Sequence, residues 1–104
     1  MVELKVEIER AYVRGITVDQ LATVVGEIEA EAKQGSPEGA KEGISLVASE
    51  GDEGRYEIAL SAEKEALPII KRAVERKIQE IPARDRYWYI GILGALAQEI
   101  EKNL

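Results

Sequence analysis

At 104 residues, with 45% apolar and 33% charged side chains, the chain has the size and composition of one globular domain around one core. It contains no Cys and no His, which removes disulfides, thiolate or imidazole catalysis and Cys/His zinc sites. A net charge of −6, with acids and bases interspersed, disfavours nonspecific attraction to nucleic acid or anionic lipid.

Residues 2–9 alternate Val2, Leu4, Val6 and Ile8 with Glu3, Lys5, Glu7 and Glu9, the period of a strand with one buried and one wet face. The strand is expected to reach Tyr12 or Val13 before Gly15 stops it. Thr17 and Gln20 have the spacing of a capping box, and Asp19 suits the positive end of a helix dipole. Leu21, Val24, Val25, Ile28 and Ala32 then form one helical stripe, with Glu27, Glu29, Glu31 and Lys33 assigned to the solvated face. A helix is predicted over 18–34, closed by Gly35 and followed by a loop through Gly39.

Two alternating runs follow, Ile44-Leu46-Ala48 and Tyr56-Ile58-Leu60, around the turn-forming residues 50–54. They predict a β-hairpin. Leu67, Ile70, Val74, Ile78 and Ile81 have helical spacing, with Pro68 suited to a first turn and Pro82 ending that helix or opening the next. A last helix is predicted from about 83 to 103. Its eleven residues from Tyr87 to Ala97 carry no charge, yet eleven helical residues span only about 16 Å, too short for a bilayer.

The predicted order is therefore β-α-β-β-α-α. It reads as a single α+β domain over residues 1–104, a two-layer fold with helices on one face of a three-stranded sheet and an extra apolar C-terminal helix. The arrangement resembles a ferredoxin-like half-sandwich whose last strand is replaced by a helix, a likeness of fold that carries no functional weight. Met1 to Glu7 lack the continuous apolar stretch of a signal peptide, and cytoplasmic residence is the simplest expectation.

Two helices suffice to cover three strands, which makes the third helix surplus. Yet the last helix is the most apolar of the three. Tyr89, Leu93, Leu96 and Ile100 form a stripe for the domain's own core, leaving Trp88, Ile90, Gly91, Ile92, Gly94 and Ala95 for a partner. A homodimer or a cognate protein partner is expected there, and the chain reads as a noncatalytic interaction domain of regulatory or adaptor type. The alternative is a small-ligand or nucleotide sensor with a pocket between sheet and helices lined by Tyr56, Arg84, Tyr87 and Trp88.

Other chemistries are poorly supplied. Glu27, Glu31, Glu38, Asp52 and Glu53 lack the spacing of a calcium loop and read as solvated carboxylates. The Arg84-Asp85-Arg86 cluster before the aromatic run could stack on a base, but no broader basic stripe supports nucleic-acid binding. Ser45, Ser49 and Ser61 have no His base, and the loop glycines match no phosphate-binding spacing. No cofactor, metal or catalytic residue is assigned, and an enzyme is the less favoured reading.

Overall fold

The alternating residues at the N-terminus form β1 (Val2–Ile8), and the hairpin runs form β2 (Ser45–Glu50) and β3 (Tyr56–Ala62). These elements are taken from a computed structural model describing residues 1–104. β3 is the central strand, antiparallel to both neighbours in the order β1-β3-β2. β1 and β2 are therefore parallel to each other, with β3 inserted between them. Val2 faces Ala62 and Ile8 faces Tyr56 across β1 and β3, while Ser45 faces Ser61 across β2 and β3. Even-numbered residues of all three strands point to the core side, and Glu3, Lys5, Val47, Ser49 and Ala59 point to solvent.

The helix after β1, α1 (Val18–Gln34), starts at the predicted capping box: Gln20 N–H donates to Thr17 Oγ1 at 3.1 Å and Thr17 N–H donates to Gln20 Oε1 at 2.8 Å. A short α2 (Glu38–Lys41) follows Pro37 where the sequence reads as loop. α3 (Leu67–Glu80) carries Pro68 in its first turn, and α4 (Ala83–Lys102) begins after Pro82. β1 stops at Ile8 rather than running on to Tyr12, because residues 10–12 fold into a single 3-10 turn. The hairpin loop turns through Glu53 and Gly54, both with positive φ.

The helices all lie on one side of the sheet, yet their division of labour differs from expectation. α1 packs on β2, and α4 packs on β1 and the adjoining part of β3. α3 lies against both of these helices rather than on the strands. The helix surplus to sheet coverage is thus α3, and α4 is apolar on several sides because it meets the sheet, α3 and the loop before α1. Twenty-five buried apolar residues from sheet and helices form one continuous core.

Candidate interaction surface

α4 is held in place from three directions. Tyr89, Leu93, Leu96 and Ile100 are buried in the core, as the stripe of the sequence predicts, and Ile92 is buried with them. Ile92 was expected on the outer face. One residue from Leu93 and four from Leu96, it sits at the margin of the core stripe, and α4's seat on β1 extends burial to it. Ile92 therefore offers nothing to a partner.

The three aromatic residues at 87–89 take three environments. Tyr89 is buried, and burial raises its hydroxyl above the usual phenolic range, assisted by the charges of Asp85 and Glu27. Trp88 is half-buried, its indole lying on Gly15 so closely that a Cβ there would collide with the ring. Tyr87 is 67% exposed and meets Trp88 edge to face, with ring centroids 5.0 Å apart.

The neighbouring charged cluster is structural. Arg86 wraps the C-terminus of α3: Nε donates to Ile78 O at 2.9 Å, and the guanidinium also donates to Gln79 O and Ile81 O. Those carbonyls have no intrahelical partners, so Arg86 caps one helix from the next. Asp85 sits in the first turn of α4, where its charge complements the helix dipole. Arg84 projects into solvent with only a long 3.9 Å contact to Asp85.

Tyr56 is far from a binding role. It is buried, donates its hydroxyl to Ile16 O at 2.9 Å, and carries Arg10 over its ring at 5.1 Å. Its bonding capacity goes to holding the loop before α1. The surface depressions, each of about 300 Å³ or less, do not gather Tyr56, Arg84, Tyr87 and Trp88 around one space. No group of three acidic side chains converges to hold a metal ion.

What remains open on α4 is a row along its outer side. Tyr87, Gly91, Gly94 and Gln98 follow one another at three- and four-residue steps, and Ile90 lies three from Tyr87 and four from Gly94. Ile90 is 48% exposed, Gly91 is exposed, and Gly94 and Ala95 are half-exposed. Of the residues expected at an interface, Ile90, Gly91 and Gly94 share this row, Ala95 and Trp88 flank it, and Ile92 lies beneath.

Sequence reasoning missed Glu29. Placed among solvated carboxylates, it instead reaches from α1 to the outer edge of β2, where Oε1 accepts the Leu46 N–H at 2.7 Å. Its spacing from Glu27 and Glu31 resembles that of any exposed helical acid, and only the packing of α1 on β2 distinguishes it.

Fold and surface together define a two-layer α+β domain, a split β-α-β unit closed by an antiparallel central strand, with one open helical face. No family model matches the chain, nor does any curated protein or solved structure. No helix is long and apolar enough to cross a membrane.

Proposed function

We propose that the chain is a noncatalytic association domain that binds a second copy or a cognate protein through the outer row of α4. The observation that carries this reading is the exposure of Tyr87 and Ile90 beside Gly91 and Gly94, on a helix otherwise seated in the core. A glycine inside a helix costs about 1 kcal/mol relative to alanine. At Gly91 the fold itself accounts for it, since a Cβ would stand 2.7 Å from Ile8 Cδ1. At Gly94 an added Cβ would meet nothing within 4 Å. Internal packing gives no reason for that glycine, and close approach of another backbone does.

Sedimentation velocity over a wide concentration range tests the reading with wild type and Ile90→Glu. The wild type associates, and the variant is monomeric with an unchanged melting temperature. An Ile90→Glu variant that associates as strongly as wild type overturns the assignment.

A further inference from the structure

The two edges of the sheet are treated differently. On β2, Glu29 occupies the outward Leu46 N–H and obstructs that end of the edge, leaving the outward amides of Ala48 and Glu50 without an acceptor. Because the Leu46 amide points away from β3, the odd-numbered residues of β2 exchange hydrogen bonds with β3, a pattern continued by Gly51 N–H donating to Arg55 O. β3 then bonds β1 through its even-numbered residues. The outward amides of β1 belong to Glu3, Lys5 and Glu7, and none of the three donates to a protein acceptor. An uncovered edge of this kind is a template for another strand.

We propose that this edge pairs antiparallel with β1 of a second copy, about a two-fold axis at Val6, joining two three-stranded sheets into one of six strands. The inference rests on self-association through α4 and names both the partner and a second contact. The charge order Glu3-Lys5-Glu7 argues for a copy of the same strand. Residues directly opposite attract or repel by charge. An axis at Lys5 would set Lys5 against Lys5 and Glu3 against Glu7, with like charges at every position. An axis at Val6 sets each Lys5 against the partner's Glu7, the one like-charge pair being Glu3 against Glu9, which lies just past the end of β1. On the core side it stacks Val6 on Val6 and Leu4 on Ile8.

An axis at Leu4 would also match charges, Glu3 against Lys5. The position of α4 selects Val6. A depression of about 290 Å³ lies between Lys5, Val6 and Glu7 of β1 and Ala95, Gln98, Glu99 and Lys102 of α4. Gly91 adjoins it, against Ile8. Strands pair about 4.8 Å apart, so an axis at Val6 brings each α4 alongside its twin at Ala95, with Gly91 one turn away against Ile8 and the polar Gln98, Glu99 and Lys102 framing the contact. The outer row of the helix is thereby continuous with the strand edge.

The wild-type chain has no cysteine, so Val6→Cys provides a direct register test. Antiparallel residues in a non-hydrogen-bonded pair lie about 4.5 Å apart at Cα, within disulfide range. Mild oxidation of this variant gives a covalent dimer, and a Leu4→Cys control gives little. In sedimentation, Lys5→Glu weakens the dimer at least tenfold, and Lys5→Glu with Glu7→Lys restores it, with circular dichroism unchanged throughout. A wild-type chain that is monomeric at every concentration overturns this pairing and the second-copy form of the α4 reading, whose partner is then a cognate protein. A dimer dissociated by Ile90→Glu, yet indifferent to the charge exchange and not linked through position 6, overturns strand pairing alone. A mixed β-strand with a foreign peptide but no homodimer also overturns it.

Discussion

Gly15 and Trp88 are separated by most of the chain, yet each determines what the other can be. The indole lies flat on the glycine, and a methyl group there has no room. Gly15→Ala should destabilise the fold by about 1–3 kcal/mol, the usual cost of overpacking. Trp88→Ala is also destabilising, and the double variant loses less than the sum, because the collision exists only when both groups are present. Urea titrations of the four chains measure that coupling. Tyr89 makes a different prediction. Its folded pKa is raised above the ordinary value of 10.0 by burial and nearby acids. Below that value both states keep the proton, and its contribution to stability is complete. As pH rises further, the unfolded chain ionises first, and stability falls until the folded phenol also titrates. Tyr89→Phe should therefore lose less stability than wild type between about pH 9 and 11, read from urea midpoints.

Elements were legible where their signals are local. Thr17 and Gln20 mark the start of α1 because a capping box needs only residues three apart. Pro68 and Pro82 punctuate α3 and α4 for equally local reasons. The turn residues 50–54 announced the hairpin, and Glu53 shows where local chemistry is imperfect. It adopts φ 60°, a left-handed conformation that a side chain with Cβ pays to enter. Glu53→Asn should raise stability by up to about 1 kcal/mol, seen as a higher melting temperature, since asparagine before glycine suits this turn. Which helix lies on which strand was not legible. α4 is apolar around much of its surface, but periodicity does not say that β1, α3 and the Gly15 loop are what meet it. In the sequence Arg86 stands out only as part of the Arg84-Asp85-Arg86 cluster, and its three bonds to the end of α3 depend on how two helices meet.

Across the whole molecule, stability and the proposed association would pull in opposite directions at one residue. Gly94 faces open space in the isolated chain, so Gly94→Ala should stabilise the monomer by about 0.5–1 kcal/mol through helix propensity. The same methyl group would keep a second helix from approaching and weaken association. Melting temperature and dimer dissociation constant, measured on the same variant, should both increase. Part of the proposed surface was visible in the sequence, since Ile90, Gly91 and Gly94 interrupt no core pattern. Ile92 was not separable from them, because a residue at the margin of a helical stripe is buried or exposed according to the seat of the whole helix.

The hydrogen bond from Leu46 to Glu29 bears on how large an assembly can grow. Two sheets joined through β1 would leave their β2 edges outermost, each obstructed at Leu46 by Glu29 while the outward amides of Ala48 and Glu50 stay open. If the β2 edges paired as well, β1–β1 and β2–β2 contacts would alternate and build open-ended fibres. One carboxylate on a helix would then act as a stop signal for polymerisation. Glu29→Ala should cost about 1–2 kcal/mol through loss of a charge-assisted bond, and its longer consequence would appear as slow growth in light scattering, absent from the wild type.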